Sequence, residues 1–509
     1  LSDANQMPQK MMFKYGIDKL TIPKIIDISK GKIEGILTSQ AIKLVKESRE
    51  KVEKIANGSK AVYGINTGFG PLCDVQISSS ETNILQKNLL LTHAVGVGEN
   101  IDKHLSKIMM ICKVHALCQG FSGVRLALIE RIIYFINHDL LPTVPKQGSV
   151  GASGDLAPLS HLFLPIIGEG EFWINQDIVP AKEVLANHEL KIIQLESKEG
   201  LGLINGTQFI LAHTITGLIK MEYLLDLADV SGAMSIESYM GGRSPFKEEL
   251  HKIRPFKGSL KVAERMRYLF KGSQNMNSHE KCDRVQDPYS MRCIPQVHGA
   301  SRNAYCHLLE LAEIEMNSVT DNPIILSENE AISGGNFHGQ PLAMALDYCS
   351  IAASELGNIA DRRCYLLLEG KYGLPKLLTK KSGLNSGLMI PQYTTAALVT
   401  ENKSLCFPPS SDSIPTSLGQ EDHVSMGSIS GRQFNQILKN LEKILAIELL
   451  YAAQALDFRR PNTFSKIIEK NHYIIRSKVK KLEDDRLLKK DIKNMIKMVE
   501  NKSFIVNYN

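Results

Sequence analysis

The sequence lacks the cysteine patterns of disulfide-rich and zinc-binding proteins. Its 509 residues include 9 cysteines, an odd number, and no two of them form a Cys-x-x-Cys pair. Such pairs are typical of zinc sites and redox motifs, whereas an even, regularly spaced set is typical of secreted disulfide frameworks. The scattered cysteines therefore predict reduced thiols and a cytoplasmic protein.

The marks of membrane proteins and nucleic-acid-binding proteins are also missing. The chain has no signal-peptide pattern and no apolar run long enough to cross a bilayer. Its 60 basic and 54 acidic residues leave a net charge of +6, which is too mild a bias for a nucleic-acid footprint. The histidines have no metal-ligand spacing. We therefore expect no membrane, nucleic-acid or metal partner.

Strand signals are scarce, and the clearest is a small β-hairpin predicted over residues 171–179. Apolar residues recur elsewhere at steps of three and four, which predicts helices. The predicted helices span residues 39–57, 101–139, 293–318, 339–369, 387–403 and 420–456. The fold class predicted is mainly α, a bundle of long helices with a loop-rich N-terminal domain.

Glycines interrupt the helical pattern near residues 230–245, which suggests a soft domain boundary there. We predict an N-terminal domain over residues 1–235 and a helical bundle domain over residues 236–509.

A loop of small residues occupies the middle of the N-terminal domain, at Gly148–His161. Its first eight residues are all Gly, Ser, Val, Ala or Asp, so the backbone can approach itself or a ligand closely. Asp155 and Pro158 then open a helical pattern, which places the loop at a helix N-terminus. An ordinary connector and a phosphate cradle are both consistent with this composition. The glycine spacing and the missing Lys-Ser/Thr pair argue against a phosphate loop.

Four further segments place polar side chains in loops or at helix ends. Tyr63 lies in a loop with three glycines and a proline, where it either packs the loop or presents its hydroxyl. His93 lies near a helix end, where a structural role is the commoner one. Asn205 precedes a long helix and could be its N-cap. Glu421 and Asp422 could cap the helix predicted from residue 420.

A long polar loop, Lys271–Ser290, ends in a segment rich in groups that can bind an amino acid. Loops of this length in a compact domain tend to be functional or disordered, and a solvated connector is the plain alternative. The segment contains Asp283, Gln286, Tyr289 and, just beyond it, Arg292.

Seven dispersed motifs together resemble the aromatic amino acid ammonia-lyase family, and they cover nearly the whole chain. They are Tyr63–Gly70, Thr92–Ala94, the run around Ala152-Ser153-Gly154, Asn205–Thr207, Gln286–Arg292, Gly335–His338 and Gln420–Met426. In that family the Ala-Ser-Gly triplet cyclises by itself with loss of two waters. The resemblance therefore implies a 4-methylidene-imidazol-5-one prosthetic group formed autocatalytically from Ala152, Ser153 and Gly154, with no metal or nucleotide.

The resemblance also implies roles for individual residues. Tyr63 would be the catalytic base and Arg292 would bind the substrate carboxylate. Tyr289 and Asn205 would hold the amine and the oxygen of the electrophile. Gln286 and Phe337 would lie in the same substrate pocket, and His93 and Glu421 would meet the substrate ring. Tyr289, Ser153 and Glu421 are also implied to be catalytic. Asp155 and Phe337 would support the ring-forming loop.

Within the family, the Gln420–Met426 motif is similar to the branch that acts on histidine. It implies non-oxidative deamination of L-histidine to trans-urocanate and ammonia, the first step of histidine degradation. A tyrosine ammonia-lyase or aminomutase is the alternative, because His93 is also typical of tyrosine-binding members. The resemblance further implies a homotetramer with active sites shared between chains, so Tyr63, Tyr289 and Glu421 need not come from one chain.

Overall fold

The computed structural model of the chain describes residues 11–58, 60–72, 75–78, 81–279, 284–327 and 330–506. These residues contain nineteen α-helices and nine short β-strands, which confirms the mainly α prediction. The first helices are α1 (Ile22–Ser29), α2 (Ser39–Ala56), α3 (Thr82–His93), α4 (Lys103–Leu117), α5 (Leu126–Asn137), α6 (Leu156–Phe163), α7 (Ala181–Asn187), α8 (Glu199–Ile204) and α9 (Gln208–Tyr239). The remaining helices are α10 (Glu248–Lys252), α11 (Lys257–Leu269), α12 (Gln274–Ser278), α13 (Tyr289–Arg292), α14 (Ile294–Met316), α15 (Gln340–Leu368), α16 (Met389–Leu405), α17 (Gly427–Leu456), α18 (Lys466–Arg476) and α19 (Lys489–Glu500).

The strands form four small sheets. They are β1 (Met11–Lys14), β2 (Ile33–Ile36), β3 (Val97–Asn100), β4 (Leu141–Pro142), β5 (Pro145–Gln147), β6 (Glu171–Ile174), β7 (Asp177–Pro180), β8 (Ile324–Ser327) and β9 (Glu330–Ile332). Strands β1 and β2 pair in parallel, whereas β3–β5, β4–β6–β7 and β8–β9 are antiparallel. The predicted hairpin is confirmed as β6 and β7, with Trp173 opposite Ile178.

The chain folds into two compact units, each assembled from three segments. The first unit comprises residues 1–216, 309–346 and 409–432, and the second comprises residues 217–308, 347–408 and 433–509. The sequence-based division at residue 235 concerns two contiguous domains and stays a prediction.

Several predicted helices are confirmed to within a few residues, including α2, α14, α15 and α16. The single helix predicted over residues 101–139 is wrong, because the chain breaks between α4 and α5. Gly120 and Gly123 adopt φ values of +79° and +68° there. A right-handed helix does not accommodate such values.

The start of the helix predicted at residue 420 is also wrong, since α17 begins at Gly427. Ser417, Leu418 and Met426 adopt positive φ, and the Met426 N–H donates to the carbonyl of Val150 over 2.9 Å. The segment before α17 is therefore held by the glycine-rich loop and not by helical hydrogen bonds. This is what brings Glu421 to that loop.

The second unit is built on close contacts between long helices. A Cβ atom on Gly217 would lie 2.4 Å from the Phe434 ring. The Phe434 ring of α17 therefore packs directly against the backbone of α9. A buried ion pair joins Arg363 of α15 to Glu448 of α17 over 2.5 Å. Ser231 and Ser235 of α9 donate to the same carboxylate. Because these donors satisfy the buried charge, three helices are fixed in register.

No helix in the described part of the chain combines the length and apolar character that crossing a bilayer requires.

Candidate active site

The glycine-rich loop makes a tight turn at Ser153 and Gly154, where φ is +49° and +77°. A Cβ atom on Gly154 would lie 2.2 Å from the carbonyl oxygen of Gly206. Only glycine therefore fits at this position without displacing backbone. The backbone N–H of Asp155 donates to the same Gly206 oxygen over 2.7 Å, which fixes the end of the turn.

Asn205 holds the turn from the opposite side. Its Nδ2 donates to the carbonyl oxygen of Ser153 over 2.8 Å, and the residue is only 2% exposed. It lies at the end of α8 and not at the N-cap of α9, which begins at Gln208. The N-cap interpretation of Asn205 is therefore wrong.

Asp155 is fully buried beside the turn, and its side chain caps a helix distant in sequence. Its Oδ2 accepts from the backbone N–H groups of Phe209 and Ile210 over 3.0 and 2.9 Å, at the start of α9. Burial raises the pKa of Asp155 to about 7, and the two N–H donors act in the opposite direction. Its place against the turn is compatible with the predicted support of ring formation, which stays a prediction.

A buried lysine that the motif analysis missed lies behind this turn. Lys113 of α4 is 1% exposed, and its Nζ donates to the carbonyl oxygen of Asn205 over 2.6 Å. Burial lowers the pKa of Lys113 to about 7, and the charge of the nearby Asp321 offsets part of this decrease. The sequence does contain one sign of this role, because Lys113 stands among apolar residues in a helical pattern. A buried ammonium without a partner is unfavourable, so a lysine at such a position indicates a specific partner.

Glu421 contacts the serine of the triplet directly. Its Oε1 accepts from the Ser153 hydroxyl over 2.6 Å. Its Oε2 accepts from the hydroxyls of Thr416 and Ser417 over 3.1 and 2.6 Å. Because Glu421 precedes α17 by several residues, its interpretation as a helix cap is wrong.

Two cavities of the first unit share Tyr63, Ser153 and Glu421 in their linings. One, of about 510 Å³, also contains His93. The other, of about 320 Å³, also contains Asn205 and Phe337. Tyr63 and Glu421 of the same chain therefore line both cavities.

Tyr63 and His93 are half-buried in this region. The Tyr63 hydroxyl accepts from the Gly70 N–H over 3.4 Å, and its ring meets Phe69 edge to face. His93 Nδ1 lies 3.1 Å from the Thr92 hydroxyl. Burial lowers the pKa of His93, partly offset by its backbone contact at Leu89 and by the charge of Glu421. The neutral form of the His93 imidazole is therefore favoured in this cavity.

Gln286 and Arg292 lie in the second unit, in a cavity of about 680 Å³. Arg292 Nε donates to the Asp287 carbonyl oxygen over 2.8 Å, and its guanidinium lies 4.5 Å from the centre of the Tyr289 ring. The Tyr289 side chain is 70% exposed. Asp283, from the same predicted segment, lies outside the described residues.

The structure therefore brings the predicted residues together as two groups. The first-unit group is Tyr63, His93, Ala152, Ser153, Gly154, Asp155, Asn205, Phe337 and Glu421. The second-unit group is Gln286, Tyr289 and Arg292. Among the described residues no cluster of three or more His, Cys, Asp or Glu side chains could hold a metal ion.

Comparison with known proteins gives consistent matches over almost the whole chain. The family model for aromatic amino acid lyases matches residues 20–477. Histidine ammonia-lyase of Symbiobacterium thermophilum is 44% identical over 484 residues, with 95% of each chain covered.

Solved structures show the same likeness. Histidine ammonia-lyase from Trypanosoma cruzi superposes with a TM-score of 0.88 at 38% identity, covering 97% of this chain and 94% of that one. Tyrosine aminomutase from Streptomyces globisporus gives a TM-score of 0.91 at 33% identity, with 97% and 98% covered.

Proposed function

Because the chain belongs to the aromatic amino acid lyase family, we propose that it removes ammonia from L-histidine without oxidation and releases trans-urocanate. The observation that carries the proposal is the contact between the Ser153 hydroxyl and Glu421 in a cavity that Tyr63 and His93 line. It joins the predicted ring-forming serine to the residue that distinguishes the histidine branch.

We propose that Ala152, Ser153 and Gly154 cyclise to a 4-methylidene-imidazol-5-one. The turn suits this chemistry, because Gly154 has no Cβ and its φ is positive, so its nitrogen can turn back toward the Ala152 carbonyl. The Ser153 carbonyl would remain as the ring oxygen, and Asn205 already donates to it. Once formed, the group supplies an electrophile that makes the substrate amine a better leaving group.

The surrounding side chains divide the remaining work in this proposal. The Tyr63 hydroxyl takes the β-proton of the substrate, since it is held half-buried at the cavity wall by the Gly70 N–H. Glu421 and His93 orient the imidazole, because a carboxylate and a ring nitrogen can each exchange hydrogen bonds with it. Arg292 binds the substrate carboxylate in the two-pronged geometry that a guanidinium favours, with Gln286 and Tyr289 beside it.

We propose that the active enzyme is a homotetramer whose sites are shared between chains. The second unit exposes several large apolar side chains on α15 and α16. Tyr348, Ile351 and Tyr365 of α15 are 48%, 47% and 54% exposed, and Tyr393 of α16 is 60% exposed. Large apolar side chains on one helix face are a common sign of a protein interface.

We also propose that the enzyme works in the cytoplasm. Seven cysteines in the described ranges are free thiols, and four of them are buried. A reducing compartment suits this state.

The direct test is to incubate the purified protein with L-histidine and follow urocanate by its absorbance, with tyrosine and phenylalanine as competing substrates. We expect histidine to be turned over fastest. A preparation that acts on tyrosine faster than on histidine would refute the assignment.

Glu421→Gln tests the basis of this preference. A hydrogen bond to a charged group is worth about 1.5–3 kcal/mol, and a phenyl ring offers no partner. We expect histidine turnover per mature site, counted by intact mass, to fall at least about tenfold, or ~1.4 kcal/mol. Asp422→Asn is the matched control, since it removes the neighbouring exposed charge. Unchanged histidine turnover in Glu421→Gln would remove the main support for the histidine assignment.

A further inference from the structure

The contact between Ser153 and Glu421 bears on a step that precedes substrate turnover. Ring closure removes one water from the Ala152 carbonyl, and a second water must then leave from the Ser153 side chain. Hydroxide is a poor leaving group, so this second loss needs a proton delivered to the serine Oγ. The side chain 2.6 Å from that Oγ is the carboxyl group of Glu421.

We infer that Glu421 is the general acid for the second dehydration, a role in building the prosthetic group that is separate from its role toward substrate. The inference rests on the proposed function, because it presumes that the triplet cyclises. In this step the Glu421 carboxylate takes the Cα proton of Ser153, and the electron pair of the broken Cα–H bond forms the Cα=Cβ double bond. Glu421 gives that proton to Oγ as the Cβ–Oγ bond breaks. One water leaves, the Glu421 carboxylate is restored, and no oxidant or reductant is consumed.

The geometry holds the carboxyl group in place for this transfer. Thr416 and Ser417 bind Oε2, which leaves Oε1 directed at the Ser153 hydroxyl. Asn205 fixes the Ser153 carbonyl from a different direction. The serine is thus held at its carbonyl and at its hydroxyl, so the bond that breaks points at a positioned acid, as proximity catalysis requires.

The same arrangement explains how one residue could serve twice. Departure of the Ser153 oxygen removes the hydrogen-bond partner of Oε1. The carboxyl group of Glu421 is then free to meet a substrate imidazole in the same cavity. The two roles follow each other in time and do not compete.

The test follows maturation by intact mass at intervals after cell-free synthesis. Wild type should lose two waters. Glu421→Gln keeps the shape but cannot supply the proton efficiently, so it should accumulate the species lighter by one water. General acids contribute about 10²–10⁴-fold, and we expect the second loss to slow by at least about a hundredfold. Asp422→Asn should mature as wild type does.

A rescue variant separates chemistry from misfolding. Thiols are far stronger acids than alcohols, so sulfur can leave as an anion without a proton. Ser153→Cys in the Glu421→Gln background should therefore reach the mass of a fully matured Glu421→Gln chain, by losing one water and one hydrogen sulfide. If Glu421→Gln does not fold, Glu421→Asp replaces it, and its shorter carboxyl should slow the second loss.

Two results would overturn the inference. One is two-water loss at the wild-type rate in Glu421→Gln or Glu421→Asp. The other is a folded double variant that stays unmatured. An active wild-type protein with its full, unmodified mass would instead refute the proposed prosthetic group, so the two failures are distinguishable.

Discussion

The two compact units differ in how far their predicted site residues contact one another. In the first unit the side chains contact each other: Ser153 donates to Glu421, and Asn205 donates to Ser153. In the second unit Arg292 contacts its own segment, through the Asp287 carbonyl and the Tyr289 ring. Tyr289 turns most of its side chain outward.

This difference suggests a division of labour. The groups that would build the electrophile are preorganised within one unit, which suits a reaction the chain must perform on itself. The groups that would bind the substrate carboxylate lie in the second unit, where Tyr289 displays most of its side chain to solvent. In the proposed tetramer, that display suits a site completed by a second chain.

Ser153→Ala should have the largest effect, because it removes the atom that must be eliminated. We expect histidine turnover to fall by more than about 10³-fold. Intact mass should show at least one water retained. A variant that keeps wild-type turnover would mean that the first-unit cluster does not perform the chemistry.

Arg292→Ala should have a smaller effect on turnover and none on ring formation. Losing a charge-assisted hydrogen bond of about 1.5–3 kcal/mol predicts a decrease in kcat/KM of roughly 10- to 150-fold. Arg292→Lys keeps the charge but not the two-pronged geometry. Its kcat/KM should therefore lie between the values of the wild type and of Arg292→Ala. Loss of the two-water mass change in Arg292→Ala would contradict the division between the units.

Mixing variants with impaired activity tests whether the two groups meet across chains. Tetramers assembled from equal amounts of Ser153→Ala and Arg292→Ala should regain activity at roughly a quarter of their sites, where both groups are intact. Ser153→Ala mixed with Glu421→Gln is the matched control and should regain none, because both residues belong to one cavity of one chain. Native mass spectrometry establishes mixing. Proven mixing without recovery in the first pair would count against shared sites.

The smallest effect is a pH dependence confined to the second unit. Burial raises the pKa of Glu237 to about 8, partly offset by its hydrogen bond from Ser273. Its folded-state pKa lies above the unfolded value, so its contribution to stability is complete below about pH 4.5 and is lost as pH rises through about 8. Glu237→Gln should remove about one proton from the pH slope of the unfolding free energy in that window. Chemical denaturation at several pH values measures the slope, and ring formation should be unaffected.

Local sequence patterns predicted the elements and missed their three-dimensional partners. Periodicity located α14, α15 and α16 because their apolar spacing is helical throughout. It failed at residues 420–426, where the Met426 N–H bonds to Val150, a partner far away in sequence. No local pattern reports such a contact.

The candidate site shows the same limit. Family motifs identified Ser153, Asn205 and Glu421, and the structure adds the hydrogen bonds that join them. Lys113 belongs to no motif, and its importance follows only from its burial behind Asn205. The cap interpretation of Glu421 failed because it assumed that the helix begins at residue 420. Helix α17 begins at Gly427, six residues after Glu421.

The central claim is that the first unit converts Ala152, Ser153 and Gly154 into an electrophile. Mass spectrometry of the proteolytic peptide that contains these residues, taken from active wild-type protein, tests it directly. The account predicts a peptide lighter than its sequence by two waters, with the loss confined to the triplet. An active preparation in which that peptide has its full mass would contradict the account.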